Sequence, residues 1–299
     1  MRIYYISDIH LELRKKIPKQ IIKNFKMVRQ TFKENEKNVI VLAGDIGNSF
    51  DDNYRKFLKK CRKYFDQVFV IHGNHEYYNN SGKNRDNKTM EEFEIQTQKV
   101  CDEEGCNFLN KCTFLYEDVL FVGCTLWTKV DENAQVKLND YRYIYTPSDP
   151  SSFSQDGENE QKRKITHYDI YYEHLSDLSF IEDILKLYGL KIGDDSLKNE
   201  GRDEEQKGEG KCGIKGVVVV THHAPSYKMS CRSDILSKYY VNDLDYLFSF
   251  PLLGWISGHT HCSAQLKING IPCVSNCYGY QTQSEVETNF KYGAHITIA

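Results

Sequence analysis

The sequence lacks long hydrophobic runs. Of its 299 residues 40% are hydrophobic, but no apolar stretch approaches the roughly 18–20 residues that a membrane-spanning helix needs. The first ten residues, MRIYYISDIH, also lack the apolar core and the small-residue cleavage site of a secretory signal. We therefore expect neither a membrane span nor export, and we predict a cytoplasmic or otherwise intracellular location.

The sequence also lacks an excess of basic charge. Its 39 lysines and arginines are outnumbered by 42 aspartates and glutamates, which gives a net charge of -3. Proteins that hold nucleic acid through its phosphates carry a basic surface. The charge balance therefore argues against a pure nucleic-acid-binding module. It does not argue against an enzyme that meets a phosphate at one local centre.

The CxxC pairs typical of zinc sites are missing as well, although the chain has ten cysteines. Cys273 and Cys277 form an isolated CxxxC, and no other pair is more closely spaced. A chain that is not exported keeps its thiols reduced. We therefore expect free structural thiols, and we interpret Cys262 as a small buried residue beside His261.

An alternation of apolar segments and amphipathic segments fills the first part of the chain. Residues 2–7, 39–43 and 67–71 are typical of buried strands, whereas 18–35 and 53–65 carry apolar residues at helical spacing. Such an alternation predicts an α/β sheet whose strands are largely parallel.

The remainder of the chain predicts a second group of elements around an insertion. Helices are expected at 89–103, at 165–187 and near 241–248. Strands are expected at 113–115, 119–126, 216–220, 254–256, 264–268, 272–275 and 295–298. Polar, breaker-rich loops are expected at 79–88, 151–164 and 199–211. We interpret 1–299 as a single domain with an inserted hood or loop region at about 128–213.

Polar, glycine-marked turns follow the first three predicted strands. They are Asp8-Ile9-His10, Gly44-Asp45 and Gly73-Asn74-His75. Ligands of α/β sheets bind beyond the carboxyl ends of the strands. We therefore expect these turns to meet at one edge of the sheet.

The side chains in these turns have the chemistry of metal ligands. Carboxylate and amide oxygens together with imidazole nitrogens, without thiolate, suit Mn, Fe, Zn or similar divalent ions. Asp8 with His10, and His259 with His261, are pairs two residues apart, so an extended segment directs both members to the same side. Asp45 is a lone carboxylate well placed to bridge two ions.

Together the motifs resemble those of the calcineurin-like metallophosphoesterase superfamily. The pattern D-x-H, G-D, G-N-H-[DE], a single H and G-H-x-H is complete and in order. The matching residues are Asp8-Ile9-His10, Gly44-Asp45, Gly73-Asn74-His75-Glu76, His222 and Gly258-His259-Thr260-His261. The resemblance implies an α/β fold, a two-sheet α/β/β/α sandwich, and a phosphoester hydrolase with two divalent metal ions.

The resemblance also implies a role for each matching residue. Asp8, His10 and His261 are implied ligands of the first ion, Asn74, His222 and His259 of the second, with Asp45 in the bridge. His75 is the implied catalytic residue, which contacts the phosphate and assists the leaving group. The implied reaction is in-line attack by a bridging hydroxide without a covalent intermediate.

A narrower resemblance concerns three further segments. Leu11-Glu12, LWT at 126–128 and NDYR at 139–142 are similar to the LHLE opening, the LWT and the NDYR of a subgroup of small microbial predicted phosphohydrolases. In the functional interpretation Arg142 contacts a substrate phosphate, Tyr141 stacks on a base, and Trp127 lies beside them. The alternative is a hood that only packs over the site. His223, next to the favoured ligand His222, either supports a ligand or faces the substrate.

Three hypotheses for function follow. The first is a phosphatase or phosphodiesterase that acts on a small phosphoester such as a nucleotide, with manganese as the favoured metal. The second is a nuclease or protein phosphatase with the same centre, and the third is a non-catalytic scaffold. The filled ligand positions disfavour the scaffold, and the charge balance disfavours the nuclease. The sequence does not predict the oligomeric state.

Overall fold

The computed structural model describes most of the chain. The described residues are 1–79, 87–148, 162–193, 213–231, 236–283 and 285–298. The predicted polar loops at 79–88, 151–164 and 199–211 lie wholly or largely outside these residues. Among the described helices, none combines the length and the apolarity that crossing a membrane requires.

The first sheet has five strands. They are β1 (Arg2–Ile6), β2 (Asn38–Ala43), β3 (Gln67–Ile71), β4 (Asn107–Phe108) and β13 (His295–Thr297). Their spatial order is β13-β1-β2-β3-β4, in which β1 to β4 run parallel and β13 runs antiparallel to β1. The carboxyl ends of β1, β2 and β3 therefore lie along one edge.

The second sheet has six strands. They are β5 (Cys112–Tyr116), β6 (Val119–Cys124), β9 (Gly216–Thr221), β10 (Leu252–Ser257), β11 (Ala264–Ile268) and β12 (Ile271–Ser275). Their order is β11-β12-β10-β9-β6-β5, with four parallel strands in the middle and an antiparallel strand on each side. A separate two-stranded ribbon joins β7 (Tyr145–Pro147) to β8 (Lys162–Lys164).

Seven α-helices are described beside the sheets. They are α1 (Lys19–Arg29), α2 (Asp52–Tyr64), α3 (Met90–Glu104), α4 (Ala134–Lys137), α5 (Asp140–Tyr143), α6 (His167–Gly193) and α7 (Glu285–Thr288). α1, α2 and α3 bury apolar side chains against the outer face of the first sheet. α6 does the same on the outer face of the second sheet.

Side chains on the strands alternate between two apolar layers. In β1 and β2, Ile3, Tyr5, Val39 and Val41 are buried in the core between the sheets. Their neighbours, such as Ile40, belong to the core under the helices. This period of two is expected of strands that are covered on both faces. The arrangement confirms the α/β/β/α sandwich.

The helix predicted near 241–248 is wrong. The described backbone there contains only a short 3-10 turn, Asp245–Leu247. Two amides of this segment donate to a neighbouring segment, Asn242 N to Ala224 O at 2.8 Å and Leu244 N to Pro225 O at 2.9 Å. The apolar spacing reflects burial against the second sheet rather than helical periodicity.

The prediction that Cys262 is a free thiol is also wrong, because Cys262 forms a disulfide with Cys231. The two Cα atoms lie 6.2 Å apart across 31 residues of sequence. Such a pairing depends on tertiary placement, which cysteine spacing alone does not reveal. The other described cysteines are free, and all of them except Cys112 are buried.

Candidate metal centre

The predicted ligands lie where the edges of the two sheets meet. Asp8, Asp45 and Asn74 follow β1, β2 and β3 of the first sheet. His222 follows β9, and the His259–His261 turn follows β10 of the second sheet. The parallel strands place all of these turns at the same end of the sandwich, as the strand order requires.

The first cluster contains four groups whose ligand atoms lie within 4.8 Å of one another. They are Asp8, His10, Asp45 and His261. His261 Nε2 lies 3.1 Å from His10 Nε2 and 3.3 Å from Asp8 Oδ1. Two carboxylates and two imidazoles at this spacing fit the donor set of a divalent ion.

The second cluster shares Asp45 with the first. His222 Nε2 lies 3.4 Å from Asp45 Oδ1, 3.1 Å from His259 Nδ1 and 3.3 Å from Asn74 Oδ1. The other carboxylate oxygen of Asp45, Oδ2, lies 3.8 Å from His10 Nε2 in the first cluster. One carboxylate therefore offers an oxygen to each group of ligands.

The backbone at these positions is strained. Asp8, His10, Asp45, His259 and His261 have φ values of 55°, 51°, 53°, 66° and 51°. The left-handed region costs a residue with a side chain about 1–2 kcal/mol. Strain of this kind persists where the surroundings hold it, and it concentrates at functional sites. The strained turns direct their side chains into the shared centre.

The protonation states of Asp8, Asp45 and His259 fit metal binding, because ligands must bind in their deprotonated forms. Burial, which raises the pKa of Asp8, is outweighed by His261 and His222, so that this pKa falls to about 2. The pKa of Asp45 is held well below its usual range because the nearby histidines outweigh its burial. Burial beside His223 and His222 lowers the pKa of His259 far enough to keep it neutral.

A cavity of about 210 Å³ opens onto the two clusters. Its walls include Asp45, Asn74, His259, His261 and the predicted catalytic residue His75. The ring of His75 stacks on Tyr78 at 4.2 Å, and its Nε2 lies 3.3 Å from the hydroxyl of Tyr280. Its backbone amide donates to Asp45 Oδ1 at 2.9 Å. His75 thus faces the cavity beside both clusters.

The structure places the four predicted substrate contacts outside the walls of this cavity. Trp127 is buried between the rings of Tyr77 and His223. Tyr141 is buried in an apolar cluster that also contains Tyr78 and Tyr239. Arg142 is exposed. The ring of His223 packs against the ring of His259, with a distance of 4.1 Å between the two centroids and an angle of 42° between the ring planes. Their contact with substrate stays a prediction.

Comparison with known proteins assigns the family. The sequence model named calcineurin-like phosphoesterase matches residues 1–263. The chain belongs to this family. It is a phosphoester hydrolase, and its buried aspartate and histidine clusters fit divalent metal ions.

Two relatives match this phosphoesterase over nearly their whole lengths. The uncharacterised protein L509 of Acanthamoeba polyphaga mimivirus is 28% identical over 320 residues, which cover 100% of this chain and 97% of that protein. The crystal structure of a phosphopantetheinyl hydrolase from Mycobacterium tuberculosis aligns with a TM-score of 0.57 and 15% identity. That alignment covers 93% of this chain and 89% of the other. At this identity the likeness concerns the fold.

The structure adds polar residues that the sequence reasoning did not assign to the phosphoesterase site. Asp140 Oδ1 accepts from Asn74 Nδ2 at 2.8 Å and from the Tyr78 hydroxyl at 2.6 Å. That contact turns the amide so that Asn74 Oδ1 faces His222. Lys137 also lines the cavity. The NDYR segment contains Asp140, but the sequence interpretation assigned substrate contacts to Tyr141 and Arg142 and no role to Asp140.

Glu76 joins two of the ligand turns in the phosphoesterase through its buried carboxylate. It accepts from the backbone amides of Asp45, Ile46, Gly47 and Gly73 at 2.7–3.3 Å. From the sequence, Glu76 either hydrogen-bonds a ligand histidine or only occupies the acidic position of the G-N-H-[DE] motif. In the structure it holds the Asp45 turn against the Gly73 turn and satisfies amides that would otherwise be buried without a partner.

Gly73 has no room for a side chain. A Cβ on Gly73 would lie 2.7 Å from Asp45 N and 2.7 Å from the His222 ring, and would overlap the Asp45 carboxylate. We expect Gly73→Ala to displace Asp45, to lower the free energy of unfolding by about 1–3 kcal/mol and to reduce metal content, as measured by chemical denaturation and elemental analysis.

The matched control for Gly73→Ala is Gly189→Ala on α6, where the nearest atom to a new Cβ, Pro251 Cδ, is 3.4 Å away. This helical change should leave metal content unchanged and should not destabilise the fold, since alanine favours helix by about 1 kcal/mol. Normal metal content in Gly73→Ala would contradict the placement of Asp45.

Proposed function

We propose that the protein hydrolyses a small phosphomonoester or phosphodiester, such as a nucleotide, at a dinuclear centre for which manganese is the favoured metal. The observation that carries the proposal is the position of Asp45. Its two carboxylate oxygens face two separate groups of ligands at the wall of one cavity. A shared carboxylate is how a protein holds two ions about 3.5–4 Å apart.

The ligand assignment in this proposal follows the two clusters. Asp8, His10 and His261 hold the first ion, Asn74, His222 and His259 hold the second, and Asp45 contacts both. When bound, the two ions supply Lewis acidity that activates water and offsets the negative charge developing on the phosphoryl group. The surrounding protein keeps Asp8 and Asp45 ionised and His259 neutral, so these three are ready to bind. Against the effect of burial, the aspartates raise the pKa of His222 to about 9 and also raise that of His261, so these two rings would release a proton when an ion binds.

His75 is the proposed proton donor to the leaving group. Burial lowers its pKa, but the charges of Asp45 and Glu12 more than compensate and raise it to about 9. As a proton donor, the ring would act through Nε2, which is turned to the cavity beside Tyr280. General acid catalysis needs such a group within hydrogen-bond reach of the departing oxygen.

The dimensions and charge of the cavity support a small substrate. A volume of about 210 Å³ holds roughly seven water molecules at about 30 Å³ each, which suits a phosphoryl group and part of its leaving group. Lys137 is the only lysine or arginine among the described residues that line it. We propose that Lys137 contacts the phosphate, with Tyr240 and Tyr280 against the leaving group. One cation is far from the basic groove that a nuclease uses.

The proposal is tested by metal removal and restoration with two chromogenic substrates. We expect the chelated protein to be inactive on both p-nitrophenyl phosphate and bis-p-nitrophenyl phosphate. Manganese should restore turnover of at least one, and calorimetric titration should show two manganese ions per chain. The ratio of the two rates separates a monoesterase from a diesterase.

Further substrates distinguish the other hypotheses. Turnover of a single-stranded oligonucleotide or a phosphopeptide with kcat/KM above that of any nucleotide would favour the nuclease or the protein phosphatase. Two bound ions without hydrolysis of any of these substrates would favour the scaffold. One bound ion at saturation would contradict the dinuclear centre.

A further inference from the structure

One carboxylate outside the proposed ligand set contacts two histidines of the site. The side chain of Glu12 is 1% exposed. Its Oε1 lies 3.1 Å from Nδ1 of His10 and 3.2 Å from Nδ1 of His75. Oε1 of Glu12 therefore lies within hydrogen-bond distance of two Nδ1 atoms. One belongs to His10, a proposed metal ligand, and the other to His75, the proposed proton donor.

This contact determines which nitrogen of each ring is free to act. An ionised carboxylate accepts hydrogen bonds only, so both Nδ1 atoms carry the proton and donate. The Nε2 of His10 is then left for the first cluster, where it lies 3.1 Å from His261 Nε2. The Nε2 of His75 is left for the cavity, beside the Tyr280 hydroxyl at 3.3 Å.

The local backbone carries Glu12 to this place. His10 adopts a left-handed conformation, and the short 3-10 turn Leu11–Leu13 folds back after it. Arg14 anchors the end of the turn, because its guanidinium donates to Ile9 O and Gly279 O at 2.6 Å each. The two histidine rings meet edge to face, with centroids 4.5 Å apart, so that one carboxylate reaches both.

The contact is not explained by a gain in stability. Glu12 Oε2 is buried and has no hydrogen-bond partner among the described residues. Burying an oxygen without a hydrogen-bond partner destabilises the fold. An apolar side chain of the same length would avoid this cost, so the presence of a carboxylate here needs a reason in the chemistry of the site.

We propose that Glu12 is a positioning residue that sets the orientation of His10 and His75 together and the tautomer of His10, and so couples the first metal position to the proton donor. The inference rests on the proposed function, since it gives both histidines their roles. Residues that accept the second ring proton of a metal-bound histidine typically contribute 10–100-fold to metal affinity or activity.

The test begins with three variants at this position. Glu12→Met keeps the length and removes the acceptor, and we expect manganese affinity and kcat each to fall by about 10–100-fold. Glu12→Gln still offers an oxygen to both rings, so each quantity should fall by less than about tenfold, because neutral acceptors are about half as strong. Glu12→Asp is the second variant for the case that the methionine variant does not fold, and its shorter carboxylate should weaken both quantities.

A double-mutant cycle separates positioning from general damage. In a His75→Ala background, Glu12→Met should still weaken manganese binding in a calorimetric titration, because the contact with His10 remains. It should no longer lower kcat by more than about threefold, because the ring through which it acts is gone. Coupling of this kind is not expected of a residue that only supports the fold.

The matched control is Glu94→Met. Glu94 on α3 is a partly buried carboxylate that accepts from the Tyr77 hydroxyl at 3.0 Å and does not line the cavity. We expect the manganese affinity and the kcat of the Glu94→Met variant to stay within about twofold of those of the unsubstituted protein. Equal losses from Glu12→Met and Glu12→Gln, or a kcat loss as large with His75 absent as with it present, would overturn the inference.

Failure of the inference is distinguishable from failure of the proposed function. An unsubstituted protein that binds manganese but hydrolyses no phosphoester contradicts the function. An active unsubstituted protein whose Glu12→Met and Glu12→Asp variants keep both metal affinity and kcat contradicts only the role of Glu12.

Discussion

Replacing Asp45 with asparagine is expected to abolish the dinuclear centre. The carboxylate offers Oδ1 to His222 and Oδ2 to His10, whereas an asparagine offers one oxygen and directs an NH₂ group at the other cluster. We expect the variant to bind at most one manganese ion and to lose on the order of a thousandfold in kcat/KM, equivalent to about 4 kcal/mol. Elemental analysis and the p-nitrophenyl assays measure the two effects.

The control for Asp45→Asn makes the same chemical change at an exposed aspartate outside the proposed ligand set. Asp52 at the start of α2 has a side chain 89% exposed, so Asp52→Asn should leave metal content and turnover unchanged. His261→Ala, which removes a ligand of the first cluster alone, should also lower both metal content and activity. Asp45→Asn with two bound ions and full turnover would show that the site is wrongly assigned.

Replacing His75 with alanine is expected to separate catalysis from metal binding. His75 Nε2 lies beside the Tyr280 hydroxyl at the cavity, and His75 is not among the proposed ligands, so the variant should bind both ions. Its kcat should fall by about 10²–10⁴-fold, the usual contribution of a general acid. The loss should be larger for phenyl phosphate than for p-nitrophenyl phosphate, because the poorer leaving group depends more on protonation.

His167→Ala is the matched control, because His167 lies at the start of α6 and bonds to Gln135. It should leave kcat unchanged for both leaving groups. Loss of metal from His75→Ala would instead make His75 a ligand. Equal losses for the two leaving groups would contradict its role as proton donor.

The sheet architecture was predictable because the central strands, such as β2, β3, β6 and β9, are apolar on both faces. The segment 67–71 was expected as a strand and forms β3 with the same bounds. The helices α2 and α3 differ from their predicted bounds by one residue at each end. Burial in a sandwich leaves a local signal, since covered strands are apolar throughout and covering helices are amphipathic.

Features that depend on tertiary placement were not predictable in the same way. The segment 241–248 has helical apolar spacing, but its amides find partners on the segment that contains Ala224 and Pro225. Cys231 and Cys262 meet only because the turn after β10 lies against the segment at 231. No local pattern encodes which distant segment completes a hydrogen bond or a disulfide.

The candidate site shows the same division between local and distant information. The turns with Asp8, Asp45 and Asn74 were expected at one sheet edge, and the parallel strands bring them there. The contacts of Glu12 and Asp140 were not anticipated, because each depends on how a turn folds back on residues far away in sequence. Motifs identify the proposed ligands, whereas the groups that orient them emerge from packing.

The position of the centre across the seam of the sandwich links metal occupancy to the stability of the whole fold. The proposed ligands of the first sheet and of the second sheet meet at one centre, while an apolar layer packs the two sheets against each other. Ions that bind only the assembled arrangement shift the unfolding equilibrium by mass action. The concentration of free divalent metal thereby becomes a thermodynamic variable of folding, as temperature and denaturant are, and the lifetime of the folded chain follows the metal supply around it.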